Sequence, residues 1–249
     1  MPEAPPPHTT TLDRAALLAG LRARIARLER GSGRLCDDAR TLPLAPPLDA
    51  HLPWGGLPLA ALHEVLAAEP GAAFGFAALL LARAEAAMPG RAILWIAPDP
   101  DAYPPGLARL GLSASSLILL RATKPADALW AAEEALRCPA VAATLLIGPN
   151  PDLTAARRLQ LAAETGGGLG LLLRADSDDA GPTAALTRWR LTALPADTTP
   201  HHLGDPEWQV SLLRSRGGRP GQWAMRWDAA LGRLDVAGAT PTDVRRRRA

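Results

Sequence analysis

The residues best placed to do chemistry in this 249-residue chain follow the first strand of its expected sheet, Leu62–Leu66. That strand reads as buried and leads through Ala67-Ala68-Glu69-Pro70-Gly71-Ala72-Ala73-Phe74-Gly75-Phe76-Ala77 into a helix over Phe74–Ala87. A turn between a strand and a helix N-terminus binds phosphate through its backbone N–H groups. A working loop of the GxxxxGK[ST] type also needs a lysine for the outer phosphates and a hydroxyl for Mg²⁺. With Gly75 as the second glycine, those positions hold Phe76 and Ala77, and Pro70 stands five residues before it instead of glycine. Gly71 does not restore the spacing. The strand Thr144–Ile147 ends in Gly148, where a nucleotide hydrolase places a metal-holding Asp. The pattern predicts a degenerate loop, with no catalytic residue, no metal and no cofactor.

The other candidates are weaker. Asp99 and Asp101 follow the strand ending at Ile96 and have the chemistry to activate water, but lack a lysine or metal partner. Gly166-Gly167-Gly168-Leu169-Gly170 follows a helix and precedes a strand, the reverse of a phosphate loop, and reads as a helix cap and turn. His8, His51, His63, His201 and His202 have no metal-ligand spacing. Cys36 and Cys138 alone make neither a disulfide framework nor a zinc site.

The elements that would carry these residues alternate. Leu62–Leu66, Ala92–Ile96, Leu117–Leu120, Thr144–Ile147 and Gly170–Leu173 read as strands, separated by helices at Phe74–Ala87, Pro104–Leu110, Pro125–Leu136 and Asp152–Thr165. Strand and helix in alternation predict an α/β fold with a mostly parallel sheet flanked by helices. After Leu173 the pattern changes to polar/apolar alternation at Thr187–Leu194, Trp208–Ser215 and Trp223–Asp228, the mark of an antiparallel extension. Trp223, Met225 and Trp227 should share one face of it. Ahead of the core, residues 1–11 are Pro-rich and expected to be disordered, and 12–33 form an amphipathic helix and turn. Leu17, Leu21, Ile25 and Leu28 make the apolar stripe of that helix, which needs a partner. The core is expected over 34–238 and a basic disordered tail over 239–249.

Charge divides the chain more sharply than its net +2 suggests. From Arg214 onward nine arginines stand against three aspartates, and the chain finishes in Arg245-Arg246-Arg247-Arg248. Arg214, Arg216 and Arg219 crowd the Arg216-Gly217-Gly218-Arg219-Pro220-Gly221 hairpin loop. Such a surface suits an acidic partner or DNA phosphate. The longest apolar run, Ala72–Ala82, is too short to span a bilayer, and the N-terminus has no secretion signal. A soluble cytoplasmic protein is expected.

Several of these segments resemble known proteins. Leu48–Val65, LDAHLPWGGLPLAALHEV, resembles the lead into the ATP loop of the RecA recombinases. The stretch from Trp95-Ile96-Ala97-Pro98-Asp99-Pro100 through Pro104 to Leu112 is similar to their second strand and helix, with Asp99 where that family has a water-activating glutamate. WGGLP at 54–58, ALHEV at 61–65 and RGGRPG at 216–221 resemble the ImuA family more closely, over roughly residues 10–235. ImuA proteins are RecA-like, SulA-like members of bacterial mutagenesis cassettes.

The resemblance implies a RecA-like core that has lost nucleotide chemistry. It further implies a non-catalytic adaptor in SOS-induced, error-prone translesion synthesis, contacting an ImuB-like polymerase relative, an error-prone polymerase and RecA. In the RecA family an N-terminal helix packs on a neighbouring protomer, so a homo-oligomer is among the implied states. Two alternatives stay open, a SulA-like cell-division inhibitor and a weak DNA-binding protein. Arg174, Arg188 and Arg190 flank the loop Asp176–Ala185, which corresponds to a DNA-contacting loop of the RecA family. That loop carries Asp176, Asp178 and Asp179 and no basic residue, so DNA contact is expected from the basic C-terminal end instead.

Overall fold

The computed structural model describes residues 40–177, 181–195 and 204–240, all within one unit spanning Ala39–Ala249. The stripe Leu17, Leu21, Ile25 and Leu28, the tail Arg245–Arg248, Cys36, His8, His201, His202, Asp178 and Asp179 lie outside the described residues.

A nine-stranded sheet organises the core, in the order β11-β10-β9-β8-β3-β7-β6-β4-β5. Its strands are β3 (Ala61–Ala67), β4 (Ala92–Ala97), β5 (Leu117–Arg121), β6 (Val141–Ile147), β7 (Leu169–Ala175), β8 (Thr187–Ala193), β9 (Glu207–Ser215), β10 (Gly221–Asp228) and β11 (Arg233–Thr240). From β5 to β8 the pairing is parallel, and from β8 to β11 antiparallel. The expected α/β architecture with an antiparallel extension is present. β11 lacked a turn signal strong enough to announce it, and the tail expected from residue 239 starts inside it.

Two apolar layers cover the parallel part. On one face α2 (Pro70–Ala87) packs against Val65, Leu145, Leu171 and Trp189. On the other, α4 (Pro125–Arg137) and α5 (Leu153–Gly166) cover Leu62, Ile96, Leu146 and Leu172. The short helix α3 (Pro104–Arg109) follows β4. A small hairpin, β1 (Thr41–Leu42) with β2 (Leu57–Pro58), encloses α1 (Pro46–Asp49). Arg83 of α2 ties this strap down by donating to the Pro43 and Leu44 carbonyls, while Asp49 accepts from the Leu44 N–H at 3.0 Å.

Alternation puts Trp223, Met225 and Trp227 of β10 on the face that also buries Trp189, Trp208 and Val210, and all six are buried. Gly167 ends α5 in the left-handed conformation (φ 80°), so the glycine run is the expected cap and turn. Gly166 is needed for a different reason. A Cβ there would meet the Leu136 carbonyl oxygen at 2.1 Å, so α5 can approach the end of α4 only through glycine.

Candidate functional site

Ligands of open α/β sheets gather at the carboxyl ends of the parallel strands. At the end of β3 the structure corrects the expectation of a degenerate loop. Only Ala68 and Glu69 separate β3 from α2, and Pro70, Gly71, Gly75, Phe76 and Ala77 all lie inside the helix. Pro70 takes the first helical turn, where its missing N–H costs nothing. Phe76 and Ala77 are fully buried, with the Phe76 ring 6.1 Å from Trp189 and 6.4 Å from Trp208. Gly75 is a packing glycine, because a Cβ there would stand 3.0 Å from the Trp208 ring. The two residues between β3 and α2 are too few for a loop of the GxxxxGK[ST] length. Gly148 does follow β6, with φ 105° and its N–H bonded to the Leu173 carbonyl.

A cleft of about 420 Å³ opens beside this helix start, at the ends of β4 and β6. Phe74 and Trp95 stack in its wall with centroids 6.1 Å apart and planes 11° from parallel. Tyr103, Ile147, Asp99 and Asp101 also line it. No lysine or arginine lines it. Its charge comes from the two aspartates, and Asp99 is held by Arg121 at 2.6 Å in a solvent-exposed pair that contributes little. An apolar cavity with a carboxylate rim repels phosphate and accepts an apolar or cationic group.

A buried ionic cluster occupies the opposite face of β3, β7 and β8. Glu64 is clasped between Arg174 (2.5 Å) and Arg188, and Arg174 also donates to Asn150 Oδ1 at 2.6 Å. Arg190 pairs with Asp176 at 2.8 Å. The arginines flanking the loop after β7 are thus engaged with carboxylates of the chain itself. Next to Glu64, His63 sits fully buried in a directional chain. Trp189 Nε1 donates to Thr187 Oγ1 (2.7 Å), whose hydroxyl donates to His63 Nδ1 (2.7 Å), and His63 Nε2–H donates to the Pro58 carbonyl (2.8 Å). Every group has one role only if the imidazole is neutral. Burial agrees, pushing the His63 pKa down to about 4.

The hairpin between β9 and β10 carries the remaining candidates. Arg214 donates to the Thr183 carbonyl at 2.9 Å. Arg216 and Arg219 are exposed, and neither enters an ion pair among the described residues. Their backbone is fixed all the same. The Arg216 N–H bonds the Leu186 carbonyl, the Arg219 N–H bonds the His51 carbonyl, and the His51 ring meets Trp223 edge-on at 5.0 Å. The hairpin presents two unpaired guanidinium groups from a rigid support. Among the described residues no cluster of His, Cys, Asp and Glu could hold a metal, and no helix is long and apolar enough to cross a membrane.

No family model matches the chain. Protein ImuA of Caulobacter vibrioides (strain NA1000 / CB15N) is 41% identical over 196 residues, spanning 73% of this chain and 80% of the relative. The chain belongs to the ImuA family. Protein ImuA of a second Caulobacter vibrioides strain, ATCC 19089 / CIP 103742 / CB 15, matches at the same 41% identity and coverage. Among solved structures, SulA from Pseudomonas aeruginosa is similar at 26% identity and a TM-score of 0.41, covering 47% of this chain and 98% of its own. Within the ImuA-family chain, motif spacing assigned no role to Glu64 and tested His63 only as a metal ligand, whereas the fold buries both in polar networks. The signal was present, since ALHEV places two polar residues inside a run whose neighbours all demand burial.

Proposed function

We propose that this ImuA-family chain is a non-catalytic adaptor in damage-induced, error-prone translesion DNA synthesis, acting by contact with an ImuB-like polymerase relative, its error-prone polymerase and RecA. The likeness to Protein ImuA carries this reading, and a cleft at the ends of β4 and β6 lined by two aspartates and no lysine or arginine supports its non-catalytic part. Phosphoryl transfer needs cations around the phosphates, and here α2 begins too early and too apolar to supply them. The contact surface is the β9–β10 hairpin with Arg214, Arg216 and Arg219, extended by the basic tail Arg245–Arg248. Arginine suits such a role for its planar fork, which matches a carboxylate or phosphate.

Replacing Arg216 and Arg219 by alanine tests the surface. Capture of purified ImuB-like protein should weaken at least tenfold while the unfolding temperature stays unchanged. Full-strength capture by the double variant would remove the hairpin from the interface. The two unpaired guanidinium groups also favour a second reading, direct contact with DNA phosphate. Salt separates the two, because binding to DNA falls steeply and log-linearly with salt concentration.

A further inference from the structure

Among the described residues the nine-stranded sheet ends on β5, and this edge is apolar on both faces. Ile118 is 50% exposed, Leu119 44% and Leu120 37%. Proteins normally blunt a free edge with charge, proline or a bulge, because its unpaired backbone groups recruit another strand. Leu117-Ile118-Leu119-Leu120 has none of these.

The direction of the backbone says which strand would fit. The Ala122 N–H donates inward to the Ala97 carbonyl of β4 at 2.9 Å. Along a strand the N–H and C=O of one residue point to the same edge, and the next residue's point to the other. Ile118 and Leu120 therefore turn their backbone groups toward β4, and Leu117, Leu119 and Arg121 turn theirs outward. That outward set is symmetric about Leu119.

We propose that β5 pairs antiparallel with β5 of a second copy of this chain, about a two-fold axis through Leu119, making one continuous sheet of the two. In this register Leu119 faces Leu119 of the other copy, and Leu117 faces Arg121 in both directions. Each is a hydrogen-bonded pair exchanging two bonds, so every outward N–H and C=O of the strand is satisfied. Ile118 meets Leu120 of the other copy on the α4 side, twice, and the two Leu119 side chains meet on the α2 side. Charge agrees with the register. The two Arg121 groups lie four residues apart along the strands, about 13 Å, and each is already paired with its own Asp99. A two-fold contact needs one patch complementary to itself, and this strand meets that condition in hydrogen bonding, apolarity and charge.

Sedimentation or light scattering on the full chain should give twice the 26.1 kDa of one chain. Leu119→Pro deletes only an outward N–H, which an edge strand tolerates, and should halve that mass without changing the circular dichroism. Ile118→Lys with Leu120→Lys should do the same. A hydrogen-bonded antiparallel pair holds its Cα atoms about 5.5 Å apart, within disulfide range. In a Cys36→Ser, Cys138→Ser background, Leu119→Cys should therefore oxidise to a covalent dimer and Leu117→Cys should not. A monomeric full chain overturns the proposal. So does a dimer that survives both edge variants, or one lost on changing Leu21 and Ile25 to Glu but not on changing β5.

Discussion

Lowering the pH should destabilise this protein through one buried imidazole. His63 keeps its pKa near 4 in the fold, against 6.5 when free, because burial disfavours the cation and both ring nitrogens already have partners. A depressed histidine pKa means that the unfolded chain binds more protons between those limits. Stability is then highest above pH 6.5 and falls as the pH drops toward 4. Between pH 7.5 and 5 the linkage amounts to about 2 kcal/mol, and it approaches 3 kcal/mol at lower pH. With a urea m-value of about 2.5 kcal/mol/M, the midpoint should move down by about 0.8 M across that window. Tryptophan fluorescence reports it directly, since Trp189 heads the hydrogen-bond chain. The control is His63→Gln, which removes the titration. Its midpoint should lie lower at pH 7.5 and change far less by pH 5. Parallel urea midpoints for wild type and variant across the window would refute the assignment of the pH dependence to His63.

The cluster around Glu64 makes a second expectation. Glu64→Gln leaves Arg174 and Arg188 facing a neutral group in a buried site, a loss of about 3 kcal/mol that a thermal scan should show as a Tm about 6–12 °C lower. Restoring the consensus phosphate-loop residues by Phe76→Lys and Ala77→Ser should confer no nucleotide binding by calorimetry, and should cost about 4 kcal/mol or more in urea unfolding because both positions are core. Gly166→Ala should destabilise by about 2 kcal/mol despite alanine's better helix propensity, since its Cβ would collide with the Leu136 carbonyl. Arg216→Ala with Arg219→Ala should leave urea unfolding within about 0.5 kcal/mol of wild type, being exposed and unpaired changes.

The sheet was legible because its signals are local. Runs such as Thr144–Ile147 and Gly170–Leu173 are apolar at every position, as strands buried on both faces must be, and the switch to alternation after residue 186 marks where the helices end. Phe76 and Ala77 leave the phosphate-loop positions without a lysine or a hydroxyl, as the sequence itself states. Gly71 and Gly75 have the look of a loop but lie in α2, and the close approach that Gly75 allows is to Trp208, more than a hundred residues downstream. The ionic clasp of Glu64 was hidden for the same reason, since its partners come from β7 and β8. The hairpin arginines were visible as charge, but the backbone bonds that hold Arg216 to Leu186 and Arg219 to His51 are contacts across the fold.

The proposed role requires that this chain bind its polymerase partner without using nucleotide. Titrating purified full-length protein into the ImuB-like protein by calorimetry, with no nucleotide, with ADP and with ATP plus Mg²⁺, tests this most directly. A saturable complex is expected, with the same Kd within error in all three conditions and no phosphate released. Binding that appears only with ATP, or ATP turnover by the complex above that of the ImuB-like protein alone, would contradict the proposed role.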